Sequence, residues 1–152
     1  MSDVMQIITL ISIWLSLLMS MVTLSGAIAF WLKYSKVLVK ITPLPRYPKV
    51  TIVVPAHNEE LVIKNTATAI LNLNYPKDKL EVLFYADNCE DHTADVLDNV
   101  LAEERFKNRN AKVIRRTGTG GKAGVLNDAL KIAHGEYLGV YDADAMPESN
   151  AL

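Results

Sequence analysis

The sequence of 152 residues contains a single cysteine and no excess of basic residues. Cys89 alone cannot form an internal disulfide or a multi-cysteine zinc site, and a lone thiol is typical of a reducing compartment. The 16 Lys and Arg against 17 Asp and Glu give a net charge of -1, whereas nucleic-acid-binding proteins usually carry a basic excess. We therefore predict no nucleic-acid partner. Half of the residues are hydrophobic, which excludes a disordered composition.

Charge is also missing from residues 4–32, a run of 29 residues rich in Ile, Leu, Met and Val. About 20 apolar helical residues cross the hydrocarbon core of a bilayer, so this run is long enough to span one. A signal peptide or a buried soluble helix is the alternative, but an acid precedes the run and five bases follow it before residue 50. We predict a single-pass transmembrane anchor over residues 1–32 in a lipid bilayer and a juxtamembrane linker over residues 33–48. The bases place the N-terminus outside and the remaining chain in the cytoplasm.

Residues 49–152 alternate between short β-branched apolar runs and amphipathic helical patterns. Alternating strands and helices are typical of an α/β fold with right-handed crossovers and a mostly parallel sheet. The patterns predict strands over 49–54, 80–86, 112–114 and 136–141, and helices over 58–73, with Asn58 as N-cap, 93–106 and 122–133. His92 and His134 are assigned to the surface without partners.

Polar residues gather directly after the predicted strands. In open parallel sheets, ligands bind beyond the carboxyl ends of the strands. The sequence therefore predicts a ligand site built from four segments, residues 56–59, 87–88, 117–122 and 142–144.

Two acids, Asp142 and Asp144, flank a small residue directly after the last predicted strand. Residues i and i+2 of extended chain point the same way, so both carboxylates can face one cation. Mg²⁺ and Mn²⁺ prefer such oxygen ligands and often share them with phosphates. A solvated loop is the alternative interpretation of the same pattern.

A glycine-rich segment, residues 118–121, precedes Lys122 at the start of a predicted helix. Glycines allow close backbone approach to a ligand, and a helix N-terminus attracts anions, so Lys122 suits a diphosphate. An ordinary turn is the alternative. The segment is not a Walker A loop, because Ala123 stands where Ser or Thr is needed. The spacing of Gly118, Gly120 and Ala123 leaves an NAD-dependent oxidoreductase as a remote alternative.

Three further side chains lie in the predicted site. Asp87 is able to accept a hydrogen bond from an N–H of a nucleobase or from the hydroxyls of a ribose. Glu59 is able to reach the same pocket, and His57 is able to stack on a planar ring. A turn-capping Asp, a helix-dipole partner and a plain loop residue are the respective alternatives.

Four segments together resemble the successive motifs of family 2 glycosyltransferases, most of all the membrane-bound synthases of poly-N-acetylglucosamine, cellulose and hyaluronan. The resemblance covers residues 49–152 and keeps the order of the motifs. These are VTIVVPAHNEE at 50–60, FYADNCEDHT at 84–93, GGKAGVLNDAL at 120–130 and YLGVYDADAMPE at 137–148.

The resemblance implies a GT-A fold, Rossmann-like and here partial, with a UDP-sugar donor and a divalent metal, Mn²⁺ or Mg²⁺. It implies that the uridine site is lined by Ala56, His57 and Glu59 and that Asp87 holds the uracil. Lys122 would then meet the diphosphate. Asp142 would contact donor and metal, and Asp144 would coordinate the metal.

In this family the catalytic base and the acceptor-binding motif follow the D-x-D segment, so we expect them beyond Leu152 and name no catalytic residue in this chain. One hypothesis is a glycosyltransferase that transfers a sugar to a polysaccharide or other acceptor. The other is a truncated, catalytically silent fragment that binds UDP-sugar and metal, and its partner would be a complementing chain that carries the C-terminal half.

Overall fold

The computed structural model describes residues 3–35 and 46–152, which belong to two separate compact units. The first contains helix α1, Asp3–Tyr34, whose residues are all exposed. Its 32 residues correspond to about 48 Å of helix, and among the described residues it is long and apolar enough to cross a membrane. Hydroxyls within α1 bond to the preceding turn, as Ser12 Oγ does to the Ile8 carbonyl at 2.9 Å. The helix is confirmed, whereas its insertion and orientation remain predictions. Most of the predicted linker, 33–48, lies outside the described residues.

The second unit is a four-stranded parallel sheet in the order β3-β2-β1-β4. Its strands are β1 Val50–Ala56, β2 Leu80–Asp87, β3 Asn110–Arg116 and β4 Tyr137–Val140. Its helices are α2 Ile63–Leu71, α3 Thr93–Ala102 and α4 Gly121–Ile132, with a short 3₁₀ helix at Glu104–Phe106. The predicted α/β class with a parallel sheet is confirmed.

The central strands β1 and β2 are buried on both faces, which explains why their sequences are continuously apolar. On one face, residues such as Ile52 and Phe84 pack beneath α2 and α3. On the other, Val53 and Leu83 pack beneath α4. Successive side chains point to opposite faces, so the two cores interleave along each strand. Because the four strands are parallel, their carboxyl ends lie at one edge of the sheet, and the polar loops meet there.

The predicted start of the first helix in this unit is wrong. Helix α2 begins at Ile63, after Val62, and no side chain caps it. Asn58 instead adopts a left-handed conformation with φ of 56°, and its Oδ1 accepts a hydrogen bond from the Glu90 amide at 2.8 Å. The Glu59 amide donates to Thr93 Oγ1 at 2.7 Å. These bonds to the β2–α3 loop and to the first residue of α3 hold residues 58–60 outside the helix.

Candidate functional site

A cavity of about 530 Å³ opens at the carboxyl edge of the sheet. All seven side chains predicted for the site line it. The complete lining is Pro55, Ala56, His57, Glu59, Asp87, Asn88, Gly121, Lys122, Val125, Asp142, Ala143 and Asp144. The structure thus brings together residues that are up to 89 positions apart in the sequence, Pro55 and Asp144. Their individual roles remain predictions.

The loop after β1 forms one wall of the cavity and is tied to the loop after β2. His57 Nδ1 lies 2.8 Å from the carbonyl oxygen of Asp87, so this nitrogen donates to the carbonyl. Cys89 Sγ lies 3.5 Å from the Ala56 carbonyl oxygen. These contacts fix the imidazole at the mouth of the cavity, where it is exposed.

The carboxylate of Asp87 ends β2 and is almost completely buried. Its Oδ1 accepts a hydrogen bond from Arg116 Nη1 at 2.6 Å, and the two side chains are 7% and 13% exposed. Register brings them together, because Asp87 pairs with Arg116 across the adjacent ends of β2 and β3. A carboxylate paired with a guanidinium forms charge-assisted hydrogen bonds, which are shorter and stronger than neutral ones.

Arg116 also contacts two other parts of the site. Its Nε donates to Asp128 on α4 at 2.8 Å and its Nη2 donates to the Thr119 carbonyl at 2.9 Å. Hydrogen bonds from the guanidinium to Asp128 and then to Asp87 raise the pKa of Arg116. Sequence reasoning missed this residue; the available signal was an arginine ending a strand next to a strand that ends in aspartate.

Asn88, which the predicted segment 87–88 includes without a role of its own, links the end of β2 to the glycine turn. Its φ is 50°, its Nδ2 donates to the Gly118 carbonyl at 2.8 Å, and its Oδ1 accepts from the Gly118 amide at 3.0 Å. Asparagine tolerates the left-handed conformation better than most residues. The side chain thereby pairs with both polar groups of Gly118 and holds the turn against the sheet.

The glycine turn leads directly into α4. Gly120, with φ of 88°, is the residue that precedes the helix, and a Cβ at Gly124 would lie 2.4 Å from the Thr119 carbonyl oxygen. The turn therefore requires glycine both for its backbone angle and for its close packing. It places Lys122 in the first turn of α4, where Nζ forms an ion pair with the Asp142 carboxylate.

The segment after β4 carries the two acids of the predicted metal site. Ala143 between them is 6% exposed, and its carbonyl accepts from Thr66 Oγ1 at 2.7 Å, which anchors the turn to α2. Asp142 and Asp144 are themselves exposed and line the same cavity.

Within residues 3–35 and 46–152, no group of three or more His, Cys, Asp or Glu side chains forms a metal cluster. Two carboxylates nonetheless fit Mg²⁺ or Mn²⁺, because these ions commonly take one or two protein carboxylates and complete their coordination with substrate phosphates and water. The exposed lysine beside Asp142 suits the diphosphate that would supply those phosphates.

The fold is that of the GT-A glycosyltransferases, as comparison with solved structures shows. A mannosyltransferase from Pyrobaculum calidifontis, in complex with GDP-Man and Mn²⁺, superposes with a TM-score of 0.65 at 31% identity over 81% of this chain and 36% of its own. S. aureus TarS 1–349 in complex with UDP-GlcNAc gives 0.58 at 27% identity over 66% of this chain and 28% of its own.

Residues 51–152 match the model of the family described as glycosyl transferase family 2. The chain belongs to this family. It is 33% identical to the probable glycosyltransferase YdaM of Bacillus subtilis (strain 168) over its whole length, but it covers 36% of that relative. The chain thus spans about a third of the length of this relative. The predicted family is confirmed, and it favours the glycosyltransferase over the oxidoreductase alternative.

Proposed function

We propose that the chain binds a UDP-sugar and a divalent cation at the carboxyl edge of its sheet, as the donor site of a glycosyltransferase acting on a polysaccharide or other acceptor. One observation carries this proposal. A single cavity contains a buried carboxylate that is able to accept an N–H from a nucleobase, a glycine followed by a lysine at the start of a helix, and two carboxylates separated by one residue. These are the three chemistries that a nucleoside diphosphate and its metal require. The GDP-Man and UDP-GlcNAc complexes of the structural neighbours support a sugar-nucleotide donor in general, and the second of them supports the UDP form.

In this proposal the nucleoside lies between the loops after β1 and β2. Asp87 accepts the N–H of the uracil, while Ala56, His57 and Glu59 form the wall beside the uridine. The hydrogen bond from His57 Nδ1 to the Asp87 carbonyl holds the imidazole beside this position. A hydrogen bond to a charged group contributes more than one between neutral groups, so a base that donates an N–H to Asp87 is favoured.

The diphosphate lies at the start of α4 near Lys122, and Asp142 and Asp144 hold the cation, Mn²⁺ or Mg²⁺. A bound divalent cation takes up the negative charge that develops on the leaving diphosphate. The ammonium of Lys122 forms an ion pair with Asp142. Donor binding then transfers this ammonium from Asp142 to the diphosphate.

Titration calorimetry on the full-length chain in detergent tests donor binding directly. We expect UDP to bind in the presence of MnCl₂, to lose most of its affinity when EDTA replaces the metal, and NADH not to bind. UDP binding that is absent under both conditions would contradict the proposal, and NADH binding would restore the oxidoreductase alternative.

A donor-binding domain without turnover is the second candidate function. Within the described residues, every acid that lines the cavity already has a proposed donor, uridine or metal role, which leaves none as the base for an acceptor hydroxyl. In that case a partner chain would supply the base. Sugar transfer from UDP-[¹⁴C]glucose or UDP-[¹⁴C]GlcNAc, assayed in membranes with the purified chain alone, separates the two: transfer excludes the silent domain, and binding without transfer supports it.

We also propose that α1 anchors this domain to the cytoplasmic face of a membrane. The length and complete exposure of its apolar side chains support this placement. The lone Cys89 provides a reporter for the test. We expect a membrane-impermeant maleimide to label Cys89 only after spheroplasts are permeabilised; labelling of intact spheroplasts would contradict the orientation.

A further inference from the structure

The two carboxylate oxygens of Asp87 differ in what they contact. Oδ1 accepts hydrogen bonds from Arg116 Nη1 at 2.6 Å and from Asn88 Nδ2 at 3.2 Å. Oδ2 accepts none from the part of the chain that the structure describes. It nevertheless keeps access to solvent, since none of these residues has a sealed side-chain oxygen without a partner. Asp87 therefore presents one acceptor oxygen to the cavity.

The guanidinium that occupies Oδ1 is fixed in place on three sides. Besides Asp87, it donates to Asp128 on α4 at 2.8 Å and to the Thr119 carbonyl at 2.9 Å. The side chain is 13% exposed, so few alternative rotamers are open to it. Rotating Asp87 to free both oxygens would break a short charge-assisted bond and leave a shielded guanidinium nitrogen without its acceptor.

A carboxylate with one available oxygen distinguishes between nucleobases. Uracil offers one N–H between two carbonyl groups, so it needs one acceptor oxygen and is repelled by a second. Guanine offers an N–H and an adjacent amino group, which match both oxygens of an unconstrained carboxylate. At this site a guanine amino group would be left without its acceptor, and unpaired buried polar groups are what make a binding site selective.

We propose that Arg116, assisted by Asn88, is the positioning residue that restricts Asp87 to one acceptor oxygen and so gives the site its preference for uracil over guanine nucleotides. The guanidinium also neutralises Oδ1, which reduces its repulsion of the adjacent uracil carbonyl. This inference rests on the proposed function, because it assumes that a nucleoside diphosphate occupies the cavity.

The test is the ratio of dissociation constants for GDP and UDP, measured by calorimetry with MnCl₂ on the full-length chain in detergent. Arg116→Met removes the guanidinium. Arg116→Lys keeps the charge but lacks the planar fork of donors that makes the three bonds, and it provides a second measurement where the Met variant is too unstable. Arg115→Met is the matched control, because Arg115 is the adjacent arginine of β3 but pairs with Asp95 and Asp98 on α3.

We expect the wild-type chain to prefer UDP, and the preference to fall about tenfold in Arg116→Met, the effect of one hydrogen bond to a charged group. In Arg116→Lys the preference for UDP should fall by less than in Arg116→Met, and in Arg115→Met the ratio of dissociation constants should stay at the wild-type value. A purely structural role would weaken both nucleotides alike and leave the ratio unchanged in both Arg116 variants, which would overturn the inference. Equal wild-type affinity for UDP and GDP would overturn it while sparing the donor site, whereas binding of neither would refute the proposed function itself.

Discussion

The two ends of strand β2 each carry a buried carboxylate, Glu81 at the amino end and Asp87 at the carboxyl end, with 6% and 5% of each residue exposed. Both Glu81 oxygens are occupied: Oε2 accepts from Thr51 Oγ1 at 2.7 Å and from the His134 amide at 2.9 Å, and Oε1 lies 2.9 Å from His134 Nδ1. Asp87 keeps one oxygen available. Burial alone therefore does not distinguish the two acids, whereas unused hydrogen-bonding capacity does, and this difference agrees with the binding role that we propose for Asp87.

The surroundings of the two acids follow the same division. The amino end contains a cavity of about 90 Å³, and Gly135 packs so closely there that a Cβ would lie 2.4 Å from the Thr51 amide nitrogen. The carboxyl end contains the 530 Å³ cavity, with exposed charges on its rim. One end closes the sheet, and the other leaves space and charge for a ligand.

The largest effect is expected from the proposed metal site at the carboxyl end. Asp144→Ala should reduce Mn²⁺-dependent UDP affinity by more than about 100-fold, since even residues that only orient metal ligands typically contribute 10- to 100-fold. Asp78→Ala is the control, because Asp78 is an exposed acid at the amino end. Calorimetry that shows wild-type affinity in Asp144→Ala would remove this residue from the metal site.

The same acid-to-amide change at the two ends of β2 should affect two different quantities, ligand affinity at the carboxyl end and stability at the amino end. Asp87→Asn should lower UDP affinity by about 10- to 100-fold, the range for a hydrogen bond to a charged group. Glu81→Gln should leave UDP affinity almost unchanged but lower the free energy of unfolding by about 1–3 kcal/mol, because the amide cannot accept from all three donors. Calorimetry and thermal unfolding of both variants provide the comparison, which fails if Glu81→Gln loses UDP affinity as Asp87→Asn does.

A smaller effect on affinity should distinguish binding of the diphosphate from binding of the nucleoside. Lys122→Ala should weaken UDP about fivefold, the upper range for an exposed ion pair, and leave uridine unaffected because uridine lacks the diphosphate. Lys64→Ala, an exposed lysine on α2, controls for the loss of one positive charge. Equal losses for UDP and uridine would argue against a diphosphate role for Lys122.

The smallest effect is the pH dependence of stability at the amino end. Burial opposes ionisation of Glu81, but hydrogen bonds from the His134 amide and Thr51 outweigh it and lower the pKa of Glu81. A lowered folded-state pKa stabilises the fold above the ordinary glutamate pKa of about 4.3, and this stabilisation is lost as pH falls through the folded value. The stability difference between wild type and Glu81→Gln should therefore shrink between pH 5 and about pH 3. A difference that stays constant over this interval would contradict the role of the hydrogen bonds.

Local patterns were sufficient to predict the sheet and the gathering of the site. The apolar runs of β1 and β2 are buried on both faces, so their composition alone identifies them, and parallel strands necessarily bring the segments around Asp87 and Asp142 to one edge. The start of α2 was not predictable in this way. Asparagine is a residue type that is favoured at helix N-caps. In this chain, however, the hydrogen bond from the Glu90 amide to the side chain of Asn58 holds Asn58 in a left-handed turn.

Side-chain pairs explain the other differences between the sequence predictions and the structure, and most of them join residues that are far apart in the sequence. Arg116 contacts an acid 29 residues earlier and another 12 residues later; the neighbouring strand ends were a signal for the first partner, but no local pattern specifies the second. His134, assigned to the surface, is indeed largely exposed at its side chain but pairs with Glu81, which lies 53 residues earlier. His92 likewise contacts Asp95 at 3.3 Å, so neither histidine lacks a partner.

Photoaffinity labelling tests the central claim most directly, namely that the sugar nucleotide binds at the carboxyl edge of the sheet. The full-length chain in detergent with MnCl₂ would be irradiated with 5-azido-UDP-glucose, and the labelled peptides would be identified by mass spectrometry. We predict labelling within residues 55–59 or 87–88, abolished by excess UDP. UDP-protected labelling at the amino end, around residues 78–81 or 134–135, would contradict the account.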